Sequence, residues 1–314
     1  MQTFPTERFR LSCRVFIHTN WQTELPARVA AFSVSRQANG LRPEFIRLEE
    51  TRALLEREGE TYLRRGRIHV WQNHDANSFM PVRMSAPQHA NFQGRVLLLD
   101  PDIFAIADLS PLLEMDMQGK AIFACRGSDP DNLPFNTSVM LLDCAKLQHW
   151  NFDKNIERLF AHEIDYQQWA MLAYEDPNTI GILPDKWNDL DQLTSETRLL
   201  HLTRDLTQPW KTGLPVNFNY DKLLDMAALE PLQRLGVLQR RLGRQLQTLA
   251  SRFSKRILRT DVFSPHPDPL QEWHFMNLLG QALDSGEMTP KEVSQQIELG
   301  NVRKDLFNCI EAAS

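Results

Sequence analysis

The chain has 314 residues, 42% hydrophobic and 24% charged, enough for one large domain with an appendage and too few for several independent domains. Its 35 basic and 40 acidic residues leave a net charge of −5, which argues against a general nucleic-acid binder, because such a protein carries a basic footprint. The four cysteines, Cys13, Cys125, Cys144 and Cys309, are far apart with no CxxC pair; that pattern calls for neither a disulfide framework nor a zinc clip and fits a reducing compartment. Charged residues precede the first apolar run, and no apolar run approaches ~18 residues, so neither a signal peptide nor a spanning helix is expected. The expectation is a soluble cytoplasmic protein, at most peripheral to the inner face of the membrane.

Cys13 to His18 reads as a short buried strand emptying into the polar turn Thr19-Asn20. Residues 26–37 open with Pro at a first helical turn and space Val29, Phe32, Ser33 and Arg36 by three or four, predicting a helix. Pro43–Leu48 and Arg67–Val70 are the next predicted strands, with a polar helix from Glu49 to Arg65 between them. Strands alternating with helices predict an α/β domain with a mostly parallel sheet, whose ligands gather beyond the carboxyl ends of the strands.

Arg95–Leu99 is the strongest strand signal and runs directly into Asp100-Pro101-Asp102. Ala121–Cys125 and Ser138–Leu142 follow, separated by a predicted loop over residues 126–137. Ile180–Leu183 and Leu199–Leu202 supply strands ending at Pro184 and just past His201. Residues 231–260 carry eight Arg or Lys and no acidic residue. Leu235, Leu238, Leu242, Leu246, Leu249, Phe253 and Ile257 recur there every three or four positions, predicting a basic amphipathic helix. Asp268-Pro269 opens a helix running through Leu283, and Thr289-Pro290-Lys291-Glu292 is a capping box before a last short one. The predicted division is a catalytic-sized domain over 1–220 and a helical C-terminal appendage over 221–314.

Strand side chains alternate with a period of two, so Asp100 and Asp102 point the same way and can share one cation. Hard oxygen donors of this kind suit Mg²⁺ or Mn²⁺, which bridge protein carboxylates to substrate phosphates. The plainer reading of such a pair is an acidic turn that ends a strand. Its context adds to it: QGRVLLLDPDIFAIADLSPLL, PFNTSVMLLD, LPDKWN and LLHLTRDLTQPWKTG follow one another in that order. Together, over residues 13–213, these segments resemble glycosyltransferase family 8.

The resemblance implies a GT-A-type (Rossmann-like) α/β fold with a mixed, mostly parallel sheet flanked by helices. It implies a retaining transfer of a hexose from a nucleotide diphosphate sugar, UDP-hexose first among them, to a hydroxyl of a glycan or lipid-linked saccharide. Asp100, Asp102 and His201 are then the ligands of Mn²⁺ or Mg²⁺, Arg83 reaches the phosphates or sugar, and Asn136 touches the donor sugar. His18, Thr19 and Asn20 stand where the family holds nucleobase and ribose. Asp165 or Gln167, in the segment matching the family's DQxxLN, lies nearest the anomeric carbon, with Asp165 the first choice.

The chain also departs from the family pattern. In HxxGxxKPW the Gly is Arg204, the Lys is Gln208, and His201 stands one residue further from Pro209-Trp210, so Arg204 or Lys211 would supply the cation facing the leaving diphosphate. Two other functions are compatible with the residues: a weakened nucleotide-sugar-binding scaffold of the same fold, and a haloacid-dehalogenase-type phosphatase, for which LLLDPD would be the opening motif. The basic helix either packs its apolar stripe on the main domain or contacts anionic lipid.

Overall fold

The computed structural model describes residues 13–129, 133–203, 206–217 and 262–313. The predicted basic helix and Arg204 lie outside the described residues. The first strand, β1 (Cys13–Thr19), is buried along most of its length, as a near-continuous apolar strand inside a parallel sheet must be. It pairs in parallel with β2 (Glu44–Arg47) on one side and with β5 (Arg95–Leu99) on the other. α1 (Glu24–Gln37), which carries the predicted 26–37 helix, crosses between β1 and β2.

Two strands lie between β2 and β5 in sequence, β3 (Thr61–Arg64) and β4 (Arg67–Val70), and neither joins the main sheet. The predicted helix from Glu49 to Arg65 is therefore corrected. Only a 3₁₀ turn at Leu48–Glu50 and the short α2 (Arg52–Leu55) form before Gly59 turns the chain at φ +82°. Arg65 and Gly66, at φ 53° and 69°, then make the two-residue turn of an antiparallel hairpin, whose left-handed backbone matches strand twist. The long-range burial of Tyr62 decides this, because its ring sits among Trp71, Phe160 and Tyr166 at centroid distances of 5.9–6.1 Å.

After α3 (Ala86–His89) and β5, a tight turn leads to β6 (Ile103–Ala105) and α4 (Ser110–Leu113). The predicted loop over 126–137 is also corrected. β7 (Ile122–Asp129) and β8 (Leu133–Asp143) take up its described residues as an antiparallel pair, with register shifts at Ala124/Cys125 and beyond Arg126. α5 (Phe152–Phe160) and α6 (Tyr166–Ala170) precede β9 (Ile180–Ile182), which pairs in parallel with β7. The order is β2-β1-β5-β8-β7-β9. Five strands run one way and only β8 runs against them, a mostly parallel α/β sheet. Gly181 stands opposite Phe123 in the β7–β9 pair, and a Cβ there would run into the Phe123 ring.

The two faces of the sheet build two cores by simple alternation. Val15, Ile17, Leu97 and Leu99 face α1 and the C-terminal helices, while Phe16, Val96 and Leu98 face α5, α6 and the hairpin. The C-terminal helices are α7 (Pro269–Asp284), α8 (Pro290–Glu298) and α9 (Leu306–Ala313), and the capping box at Thr289 and Glu292 is present. Phe275 of α7 meets Trp210 at 4.8 Å and Phe104 at 5.5 Å. A second small sheet, β10 (Asp189–Leu190)-β11 (Leu199–His201)-β6, lies beyond the end of β5.

Candidate metal and diphosphate centre

The centre forms where β5 ends. Asp100 N donates to Ser138 O on β8 (3.0 Å), and Leu202 N donates to Asp102 O (3.1 Å). β11 runs antiparallel to β6 with His201 opposite Ile103, so a residue from far downstream is set beside Asp102. One ligand atom from each of Asp100, Asp102 and His201 lies within 4.8 Å of the other two. Asp100 and His201 are buried and Asp102 nearly so.

Charges and orientation around the trio are set by five neighbours, Arg83, His18, Asn188, Lys211 and Gln208. Arg83, 1% exposed, stands 3.0 Å from Asp100 Oδ1 and donates to Thr137 Oγ1 (2.8 Å). His18 Nε2 lies 3.1 Å from Asp100 Oδ1, close enough for attraction but not aligned as a hydrogen bond. Among the described residues, Asp100 Oδ1 and both His18 ring nitrogens therefore have no hydrogen-bond partner. Burial acts to raise the Asp100 pKa, yet Arg83 and His18 outweigh it and hold the carboxyl below the usual range. Burial lowers the pKa of His18. For His201 burial also acts to lower the pKa, but Asp102, 3.2 Å away, and Asp100 overcome it and the pKa is raised.

His201 is oriented from behind. Its Nδ1–H donates to Asn188 Oδ1 (2.9 Å), which leaves Nε2 turned to Asp102 and the cation position. Two carboxylates and an imidazole whose Nε2 turns inward match the donor set of a divalent ion. Lys211 completes the positive side. It is buried, its Nζ lies 3.4 Å from Asn217 Oδ1 and 5.1 Å from the Phe263 ring centroid, and burial pulls its pKa down to about 8. Gln208 Nε2 donates to Asp102 Oδ2 (3.4 Å).

The remaining predicted residues lie at the end of β1, in β8 and at the start of α6, and Asp165 has both carboxylate oxygens engaged by backbone donors there. Thr19 is buried with its Oγ1 2.8 Å from Thr23 Oγ1. Asn20 accepts from Gln22 N and Thr23 N and donates to Ala76 O and Ser78 Oγ, which ties the 72–80 segment to the end of β1. Asn136 Oδ1 accepts from Ser138 N (3.0 Å). Asp165 caps α6: Oδ1 accepts from Gln167 N and Gln168 N, and Oδ2 accepts from Gly66 N (2.8 Å). Burial acts to raise the Asp165 pKa, but these backbone donors keep it low. Gln167 is buried in the first turn of the same helix. Sequence reasoning missed the roles of Asn188, Thr137 and Gln208. Asn188 had a signal, since it closes LPDKWN just before β10.

The mostly parallel sheet, with Asp100, Asp102 and His201 gathered beyond the end of β5, has the α/β arrangement that a GT-A-type fold implies. Within that class the ordered motifs make glycosyltransferase family 8 the family this chain resembles. No protein-family model matches the chain, and no curated protein does. Among solved structures it is similar to the glycosyltransferase GlyE of Streptococcus pneumoniae TIGR4, with 18% identity over 63% of this chain and 56% of that one at a TM-score of 0.46. It is similar to the galactosyltransferase LgtC in complex with donor and acceptor sugar analogs, with 14% identity over 63% and 89% of the two chains and a TM-score of 0.46. Mouse xyloside xylosyltransferase 1 matches at 14% identity over 60% and 97%, with a TM-score of 0.39. The matched region spans little more than half of the GlyE chain.

Proposed function

We propose that the chain is a retaining, metal-dependent hexosyltransferase that takes a sugar from a nucleotide diphosphate donor, UDP-hexose first, to a hydroxyl of a glycan or lipid-linked saccharide. One observation carries the reading. Asp100, Asp102 and His201 converge from segments a hundred residues apart, with one ligand atom of each within 4.8 Å of the other two. Bound there, Mn²⁺ or Mg²⁺ would offset the negative charge of the departing diphosphate.

The chain's own residues prepare that step. Arg83 and His18 keep Asp100 ionised, and Asn188 holds the His201 ring in register. Lys211, with Arg204 on sequence grounds, presents fixed positive charge to the diphosphate, an arrangement that stabilises developing anions in a site shielded from water. Asp165 or Gln167 lies on the sugar side in this reading, and Asn136 and the end of β1 take the donor's sugar and nucleoside. The eight Arg or Lys of residues 231–260, with no acidic residue among them, support that stretch as a contact for anionic lipid at the inner face of the cytoplasmic membrane. No described helix is long and apolar enough to cross a membrane.

Calorimetry with UDP, with and without Mn²⁺, followed by a hydrolysis screen of UDP-sugars, tests the reading. The expected result is Mn²⁺-dependent UDP binding lost in Asp100→Asn, and slow hydrolysis of one UDP-hexose. Metal-dependent binding without turnover of any donor would make the chain a nucleotide-sugar scaffold, and phosphatase activity without UDP binding would make it a dehalogenase-type enzyme.

A further inference from the structure

We infer that the outer edge of β4 is a self-association surface, on which a second copy of this chain lays its own β4 antiparallel and joins the two hairpins into one sheet. The inference stands apart from the transferase reading. The hairpin forms a separate two-stranded sheet. Its turn is two residues long, so Arg64 and Arg67 exchange ladder bonds, as Tyr62 and His69 do, and the N–H and C=O groups of Thr61, Leu63, Ile68 and Val70 turn outward. On the β3 side these outward groups are met: Thr61 O accepts from His162 Nε2 (2.9 Å), and Leu63 bridges to Asp165. On the β4 side, no strand or loop among the described residues pairs with those of Ile68 and Val70.

The same two residues supply the apolar part of the surface. Ile68 and Val70 share one face of β4 and are 66% and 50% exposed, and β-branched side chains of this kind pack well against a neighbouring strand. An unpaired apolar edge is a template for another strand. A bilayer would cover the side chains but leave the outward amide groups without partners, which is costly in hydrocarbon. An added strand satisfies both.

Charge selects a second copy as the partner. The tip of the hairpin is basic, with Arg65 and Arg67 exposed, and its base is acidic, with Glu58 and Glu60 exposed. Glu58 Oε2 accepts from Asn73 N (2.6 Å) and Glu60 O accepts from Trp71 N (2.8 Å), so both acidic residues stand beside the end of β4. With a two-fold axis at His69, Ile68 of each copy meets Val70 of the other and their outward groups pair. That register sets Arg67 opposite Trp71 and Arg65 opposite Asn73 of the second copy, so each basic tip reaches the other copy's acidic base. The two Arg67 residues are then about 14 Å apart along the ladder, beyond the Debye length of ~8 Å at physiological ionic strength.

Sedimentation velocity on the full chain, with its cysteines kept reduced, tests this. The expectation is a monomer–dimer equilibrium with a Kd of about 10–100 µM, as suits a small interface, weakening as salt is raised. Val70→Pro removes an outward N–H that the hairpin does not use, and Ile68→Lys puts a charge into the apolar pair. Each should weaken the dimer about ten-fold or more while circular dichroism stays native. Arg65→Glu and Glu58→Lys should each weaken it about three-fold, and an equimolar mixture of the two should associate like wild type, because each altered charge then meets its opposite. A chain that stays monomeric throughout that range, or a dimer indifferent to Val70→Pro and Ile68→Lys, overturns the site. A mixture no tighter than its components overturns the antiparallel pairing. A monomer that binds phosphatidylserine vesicles and loses them in Arg65→Glu gives the edge to lipid and overturns the second copy as its partner.

Discussion

Asn188 Oδ1 stands 2.9 Å from His201 Nδ1, both side chains buried, so the imidazole is held in one tautomer with Nε2 turned toward Asp102. Outer partners of this kind set the orientation and basicity of a metal ligand, and losing one costs about 10–100-fold in affinity. Asn188→Leu is expected to weaken Mn²⁺-dependent UDP binding by that factor while far-UV circular dichroism stays native. Asn188→Asp, which keeps an oxygen acceptor, should bind close to wild type. Equal binding by the Leu variant would show that His201 needs no such brace.

The raised pKa of His201 gives the same centre a pH dependence. Metal binding requires the neutral ring, so loading releases a proton and apparent affinity climbs as pH rises through the folded-state pKa. In the metal-free protein the sign for stability is opposite. A raised folded pKa contributes stability below the unfolded value, and that contribution is lost as pH rises through the folded one. Mn²⁺ titrations followed by calorimetry between pH 6 and about 8.5 should show tightening with pH, together with proton release that His201→Gln lacks.

Arg83 and Asp100 form a buried pair in which neither partner tolerates loss of the other. Arg83 is 1% exposed and also holds Thr137. Removing one member of such a pair leaves a buried charge uncompensated, at a cost of about 3–5 kcal/mol. Arg83→Met should lower the urea midpoint accordingly. Arg83→Lys should recover little, because an ammonium does not reproduce the planar fork that serves a carboxylate and a hydroxyl at once. The low pKa of Asp100 fixes the sign with pH: the stabilisation is present above the ordinary carboxylate range and fades on acidification.

The main sheet and most of the centre were legible because their signals are local. RVLLL is a buried strand wherever it stands, DPD ends it, and the order of four motifs carried the link between Asp100, Asp102 and His201. What escaped depends on contacts between segments distant in sequence. Thr61–Arg64 continues a pattern compatible with helix, and only the packing of Tyr62 on Trp71, Phe160 and Tyr166 makes it a strand. Leu133 and Pro134 read as part of a loop, yet pairing with β7 carries them into β8. His18 reads as a loop-edge ligand residue, whereas the β1–β5 pairing sets its ring against Asp100.

Gly181 is required by a neighbour and not by a turn. A Cβ at this position would strike the Phe123 ring, the cross-strand partner of Gly181 in the β7–β9 pair. Overpacking of a closed site costs about 1–3 kcal/mol, so Gly181→Ala should unfold several degrees earlier. Gly181→Ala combined with Phe123→Leu should recover part of that loss in a thermal melt. A single variant with wild-type stability would mean that the Phe123 ring has room to move.

Lys211 sets stability against the proposed function. Its amine is buried and unfavourably charged there, which pulls its pKa to about 8, so the unfolded chain binds more protons than the folded one between about 8 and the ordinary lysine value. Over that window wild-type stability rises with pH, and below it the full cost of the buried charge is present. Lys211→Met keeps the stem packed against Phe263 without the charge. It should raise the midpoint of thermal unfolding at pH 7 by an amount equivalent to about 1–2 kcal/mol, with the difference from wild type shrinking above pH 8. The same variant should bind UDP with Mn²⁺ more weakly, because one of the fixed charges facing the diphosphate is gone. A more stable variant with undiminished UDP affinity would remove Lys211 from the diphosphate site while leaving Asp100, Asp102 and His201 in place.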